Sequence, residues 1–168
     1  SLRIASPGDL VAVDALLARS YPWLLSADYP PSVIVTALPI IARARPSLLA
    51  SGRYYLAVDD GGNVLGAGGW SLGAPAADGQ QGGERPETGH VRHVATDPRV
   101  LRRGVARTIM TAVVRAARGA GMRRMECLST RTAVPFYASQ GFAVAGPEVE
   151  IALAPGIGFP AVPMALAL

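Results

Sequence analysis

The residues with the clearest chemical potential form one strand–turn–helix run, His93-Val94-Ala95-Thr96-Asp97-Pro98-Arg99-Val100-Leu101-Arg102-Arg103-Gly104-Val105-Ala106-Arg107-Thr108. A helix N-terminus presents unpaired backbone N–H groups and partial positive charge, which together make an anion site. Gly104 and Ala106 keep the turn small enough for a phosphate to reach the backbone, and Arg102, Arg103 and Arg107 add charge that could clamp a pyrophosphate. Arginines at the start of a helix oppose its dipole, and an anionic ligand removes that conflict. A second run, Ala133-Val134-Pro135-Phe136-Tyr137-Ala138-Ser139-Gln140-Gly141-Phe142, reads by itself as a short amphipathic helix with a glycine cap.

Other suggestive groups read better as packing. Gly69-Trp70-Ser71-Leu72-Gly73 matches a nucleophile-elbow pattern, but such an elbow needs a helix after it, and Ala74-Pro75-Ala76-Ala77-Asp78-Gly79 is a poor helix. It reads as a strand end. Cys127 sits mid-strand and reads as a small core residue. His90 and His93 have no obvious third ligand, so no metal is expected.

The whole chain has 168 residues and 17.4 kDa, which points to a single domain over 1–168. Half of it is apolar and 17% charged, enough to bury a core. All 16 basic residues are arginine, which excludes a Walker loop, a Schiff base or any other chemistry that must have lysine. From Arg92 to Arg131, ten arginines face only Asp97 and Glu126, so this segment is strongly basic in an otherwise acidic chain. An anionic partner is expected there, either nucleic acid or a phosphorylated small molecule. Pro39 and the C-terminal prolines and glutamates interrupt every candidate membrane span, and Ser1–Pro7 lacks the apolar run of a signal peptide. A cytoplasmic location and no membrane partner are the expectation.

The elements that must position these groups follow from periodicity and breakers. Leu2–Ala5 reads as a strand, and a helix runs from Ser6-Pro7-Gly8-Asp9 through about Arg19. An aromatic loop, Tyr21 to Tyr29, leads to a second helix near Pro31, bent or ended by Pro39. Arg53–Asp59 and Val64–Ser71 flank Asp60-Gly61-Gly62-Asn63 as a hairpin, and Leu72–Pro86 reads as a mobile surface loop. Gly89–Thr96 is a strand, Arg103–Arg118 a helix, Arg124–Ser129 a strand and Ala133–Gln140 a short helix. Glu148–Leu153 and Val162–Leu168 are the last strands, around the turn Pro155-Gly156-Ile157-Gly158. The order β-α-α-β-β-β-α-β-α-β-β makes an α/β protein with a mixed sheet.

In this order and separation the two runs resemble the GNAT superfamily of acyl-CoA-dependent N-acyltransferases. The first is similar to its pyrophosphate motif, Gln/Arg-x-x-Gly-x-Gly/Ala opening a helix, with Leu101 in place of the leading polar residue and Gly104 and Ala106 matching. The second is similar to the family's Asn-x-x-Ala-x-x-Phe-Tyr-x-x-x-Gly-Phe, with Thr130 at the asparagine place and Ala133, Phe136, Tyr137, Gly141 and Phe142 matching. The resemblance is specific over Gly89–Phe142. It implies a mostly antiparallel sheet whose central parallel pair splays around acetyl-CoA, with 1–88 as the substrate side and 89–168 as the acyl-CoA side.

It also implies direct transfer of an acetyl group to a primary amine, with no metal. Val94, Ala95 and Thr96 would pair with pantetheine, and Arg102, Arg103, Gly104, Val105, Ala106, Arg107 and Thr108, with Thr130, would complete the cofactor site. Tyr137 takes the place of the tyrosine that protonates the departing thiolate, as a phenol near pKa 10 can for a thiol near 8.5. The amine must lose a proton, with His93, His90 and Glu87 as candidate bases. On a regular strand only one of the two histidines can enter the cleft, unless a bulge intervenes. Trp23, Asp28, Tyr29 and Trp70 are the candidate substrate-lining residues, Asp28 supplying an acid for a cationic amine. A binding module without turnover and a nucleic-acid-binding domain are the rival readings; the second is disfavoured because the arginines lack interleaved aromatics. The apolar last strand is a candidate homodimer seam.

Overall fold

The hairpin signal acts through one carboxylate. Asp59 Oδ1 accepts from the backbone N–H groups of Gly61 and Asn63, each at 2.9 Å, and closes the turn between β2 (Tyr54–Val58) and β3 (Val64–Ser71). In the computed structural model, which describes residues 1–75 and 81–168, these strands seed a mixed sheet. The other members are β1 (Leu2–Ile4), β6 (Thr88–Thr96), β7 (Arg124–Ser129), β8 (Ala143–Val144), β9 (Val149–Ala154) and β10 (Ile157–Ala167). The order is β1-β2-β3-β6-β7-β10-β8, with β9 also on β10. Every pairing is antiparallel except β6 with β7, so the mixed α/β sheet with one central parallel pair is the architecture of this chain.

Alternate residues of β2 feed different cores. Tyr54 and Leu56 pack with Val13, Leu16 and Leu17 of α1 (Leu10–Leu25), while Tyr55 and Ala57 join Ile109, Met110 and Val113 of α4 (Val105–Gly119). That is the period-two signature of a sheet covered on both faces. Gly66 and Gly68 let α4 sit close, since a Cβ on Gly66 would lie 2.5 Å from Val105 Cγ1 and one on Gly68 2.8 Å from Ile109 Cγ2. Two glycines thereby fix where the N-terminus of α4 comes to rest. α2 (Pro31–Ile41), α3 (Pro46–Leu49) and α5 (Val134–Ser139) complete the helices.

Several boundaries depart from the sequence reading. Tyr21–Leu25 continues α1 instead of forming an aromatic loop, because burial of Tyr21 and Leu25 outweighs the one backbone donor that Pro22 lacks. Pro39 is likewise carried inside α2. α4 starts at Val105 and not at Arg103, since Arg102 (φ 63°) and Gly104 (φ 79°) both hold left-handed backbone. Within the expected surface loop, β4 (Gly73–Pro75) pairs with β5 (Gln81–Glu84), and residues 76–80 lie outside the described ones. α3 and β8 have no counterpart in the sequence reading. β10 is longer than expected: it pairs with β9 early, then at Met164 and Ala165 lies between β7 and β8, which leaves no open edge there. No helix among the described residues is long and apolar enough to cross a membrane.

Candidate active site

The parallel strands part company early. β6 and β7 pair only at Thr88–His90 with Arg124–Glu126, so beyond His90 the β7-facing edge of β6 has no strand beside it. A bulge marks the break: Gly69 opposes Arg92 while Ala67 opposes Ala95, giving β6 one residue more than β3 over this step. His93 sits at the bulge with φ 46°, and its carbonyl accepts a 2.8 Å hydrogen bond from the buried Tyr54 hydroxyl. The bulge shifts the facing of His93 relative to His90, which a regular strand would hold on opposite sides.

A cavity of about 510 Å³ lies along the opened edge. Val94, Ala95 and Thr96 form one wall, the turn from Val100 to Arg107 another, and Phe136 and Tyr137 of α5 a third. Inside α4, Thr108 is the first N–H to reach a carbonyl, that of Gly104 at 3.0 Å. The amides of Val105, Ala106 and Arg107 therefore have no intrahelical acceptor, no side chain among the described residues caps them, and no acid stands in the first turn. Arg102 and Arg107 line the same cavity. Open amide donors and two arginines at one cavity can hold an anionic group such as a phosphate. Asp97 anchors the turn: it accepts from Arg99 N at 2.9 Å and pairs with Arg99 and Arg19, contacts that hold its carboxyl well below the usual range. Arg103 and Thr108 do not line the cavity; the Thr108 hydroxyl donates back to Gly104 O at 2.9 Å.

A second cavity, about 170 Å³, opens between α1, the end of α2, β6, β7 and β9. Leu24, Val94, Ala133 and Tyr137 line both cavities, so the two meet at that point. Tyr137 is buried, gripped edge-on by Phe136 and Phe142, and Gly141 (φ 95°) ends α5 so that the chain turns back to Tyr137. Burial pushes the Tyr137 hydroxyl well above its ordinary pKa, and its hydrogen bond with Cys127 acts in the same direction, so the phenol keeps its proton. The Cys127 thiol is itself pushed up to about 12 by burial, which leaves it no nucleophile.

His93 lines the second cavity, where burial, with Arg92 and Arg45 nearby, lowers its pKa to about 3. His90 lines neither cavity; it is buried, with Nδ1 4.0 Å from Glu126, and burial with Arg85 and Arg92 lowers it to about 4. Glu87 is exposed, 3.6 Å from Arg123, and also lines neither. Thr130 lines the second cavity and not the first, its hydroxyl accepting from Ala133 N at 3.2 Å.

Of the four expected substrate residues, only Trp23 reaches a cavity, the larger one. Asp28 is taken up by Thr132, whose hydroxyl donates to its carboxylate at 2.5 Å. Tyr29 stacks on Phe159 at 4.8 Å, donates to Pro160 O and accepts from Arg131 N, so it is a structural post. Trp70 is buried with Val91 and Met125 in the core shared with α4, and Arg53 lies over its ring. Ser71 donates to Gly73 O at 2.6 Å and accepts from Arg92, at a strand end as the sequence indicates. Sequence reasoning missed Arg45, Arg92, Ile40 and Ile41, which all line the smaller cavity. Arg92 and Ile40 had no motif around them, and Arg45 in Ala44-Arg45-Pro46 had only its charge to offer.

The basic segment is not one continuous patch. Arg99 pairs with Asp97, Arg124 with Glu126 and Arg131 with Glu148, while Arg92 is buried.

Comparison with known proteins gives one consistent result. The family model described as the acetyltransferase (GNAT) domain matches residues 37–168. A GCN5-related N-acetyltransferase from Rhodopseudomonas palustris superposes with a TM-score of 0.75 at 18% identity, covering 100% of this chain and 95% of that one. The PaiA N-acetyltransferase from Thermoplasma acidophilum, solved in complex with coenzyme A, gives 0.73 at 13% identity, covering 100% and 98%. A GCN5-related N-acetyltransferase from Kribbella flavida gives 0.61 at 18%, covering 100% and 97%. No curated protein sequence matches this one.

Proposed function

This chain belongs to the GNAT acetyltransferase family, and from that premise we propose that it moves an acetyl group from acetyl-CoA to an amine by direct attack within a ternary complex. The observation that carries the reading is the meeting of two cavities at Val94 and Tyr137, the larger lined by the residues whose amides open α4, the other small and mostly apolar. A two-substrate transfer needs both reactants held at one point, and preorganised proximity supplies much of the rate.

The residues fit acyl-CoA. The unpaired edge at Val94–Thr96 is suited to the amides of a pantetheine arm, and the open amides of Val105–Arg107, with Arg102 and Arg107, to its pyrophosphate. The acetyl thioester is then the acyl donor. An amine nitrogen in the smaller cavity attacks the thioester carbonyl, so that a C–N bond forms and the C–S bond breaks. The Tyr137 hydroxyl gives its proton to the sulfur as charge develops there. The nitrogen's surplus proton leaves through the smaller cavity to solvent. His93, neutral at pH 7 with its pKa near 3, accepts a hydrogen bond from that nitrogen but is too weak a base to retain the proton. Residues 89–168 supply most of the lining of both cavities; 1–88 add Ser20, Trp23 and Leu24 to the larger one and Tyr21, Leu24, Ile40, Ile41 and Arg45 to the smaller one.

The test is release of CoA thiol from acetyl-CoA on adding an amine. Amine-dependent release is the expected result. Tight acetyl-CoA binding with no release for any amine would replace this reading by that of a binding module.

A further inference from the structure

The smaller cavity has a chemical character that its neighbour does not share. Its walls are mostly apolar, with Ile40, Ile41, Ile151, Leu153 and Phe159, yet Arg45 and Arg92 are among its lining residues and, among the described residues, no aspartate or glutamate is. Arg45 is fixed at the link between α2 and α3. There the Ala44 N–H donates to Asp14 at 2.6 Å, and one terminal nitrogen of Arg45 donates to Ile40 O at 2.6 Å. Its Nε is buried with no hydrogen-bond partner, and no carboxylate among the described residues pairs with it. A buried guanidinium donor left unsatisfied beside a cavity calls for an acceptor that enters the cavity.

Charge and size narrow the acceptor. A lysine side chain, a polyamine or an aminoglycoside would bring positive charge next to the Arg45 guanidinium, which is unfavourable in a site of low dielectric. At about 170 Å³ the cavity holds on the order of six waters at ~30 Å³ each, below the range of drug-sized pockets. We infer that the acetyl acceptor is a small apolar amino-carboxylate, its carboxylate held by Arg45, its side chain on Ile40, Ile41 and Phe159, and its amine at the Val94–Tyr137 junction. This assignment rests on the acetyltransferase reading above and names its substrate class. The bonds exchanged are the same: C–N forms, C–S breaks, the sulfur takes the Tyr137 proton, and the amine proton passes to solvent. Burial is the main cause of the low His93 pKa, and a carboxylate bound at Arg45 offsets one of the charges that lower it further, so the substrate improves the hydrogen-bond acceptor its own amine uses.

The experiment is a CoA-release assay with L-leucine, L-methionine and L-phenylalanine against their C-terminal amides and cadaverine. It is run beside calorimetric binding of acetyl-CoA and of each amino acid to the CoA-loaded protein. The acids should exceed their amides at least about tenfold in kcat/KM, since the amide loses a charge-assisted contact. Arg45→Gln should raise KM for the acids about 10- to 100-fold and erase the preference for acid over amide. Its acetyl-CoA affinity should be unchanged, and Arg45→Lys should restore part of the preference. Amides or cadaverine used as well as the acids would overturn the assignment. So would intact acetyl-CoA binding with none of the acids either bound or acetylated, an outcome that leaves the acetyltransferase reading standing. Failure to bind acetyl-CoA would overturn that reading, and this one with it.

Discussion

The Tyr54 hydroxyl donates a 2.8 Å hydrogen bond to the carbonyl of His93, tying β2 to the bulge in β6 across the intervening β3. That bond holds the left-handed His93 backbone just beyond His90, the last residue of β6 that pairs with β7. The cleft therefore depends on a residue that lines neither cavity.

Tyr54→Phe keeps the ring but leaves the His93 carbonyl without its buried donor. A loss of about 1–3 kcal/mol in stability is expected, read as a lower urea midpoint with unchanged slope. Acetyl-CoA binding should weaken as the bulge relaxes. An unaltered midpoint would show that the bulge stands without the bond.

Acid should weaken the fold before its carboxylates titrate. In the folded protein His90 and His93 have pKa values near 4 and 3, whereas the unfolded chain takes up these protons near 6.5. The stability tied to the two neutral imidazoles is present above pH 6.5 and is lost as pH falls from there toward 4. Below that, Asp9, held to about 2 by Arg3, adds loss in the same direction. Urea midpoints between pH 7.5 and 4.5 should fall with an uptake of about two protons on unfolding near pH 5. The His90→Asn, His93→Asn double variant should lose most of that slope. A flat wild-type profile down to pH 5 would mean that the histidines titrate normally.

Tyr137→Phe tests the proton donor. The hydroxyl contributes no charge to the anion cradle, so acetyl-CoA affinity should stay within about twofold. Turnover should fall about 100-fold or more, the usual weight of a positioned general acid. Equal turnover would assign the proton to solvent.

How much of the fold and the site is legible in the amino-acid sequence depends on which signals are local. Turn chemistry marks the hairpin at Asp60–Asn63, and the run Leu101–Ala106 with the Phe136-Tyr137 pair locates the anion cradle and Tyr137. The family resemblance rests on the same local runs. Arg45, Arg92 and Ile40 escape because they come from the link after α2, from β6 and from α2, and share a cavity only through the tertiary fold. Asp28, Tyr29 and Trp70 are of suitable types for substrate contact, yet Asp28 is bonded to Thr132, Tyr29 stacks on Phe159, and Trp70 packs on the α4 side of the sheet. His93 is placed by a bulge that strand periodicity alone does not announce.

The most direct measurement is calorimetric titration of the protein with acetyl-CoA and with the same nucleotide lacking its pantetheine arm, repeated for Arg107→Ala and Arg103→Ala. The account predicts one site that prefers the full acyl-CoA at least about tenfold. Affinity should drop about tenfold in Arg107→Ala, a residue that lines the cavity, and little in Arg103→Ala, a residue that does not. No binding of either ligand, or equal binding of both, would contradict it.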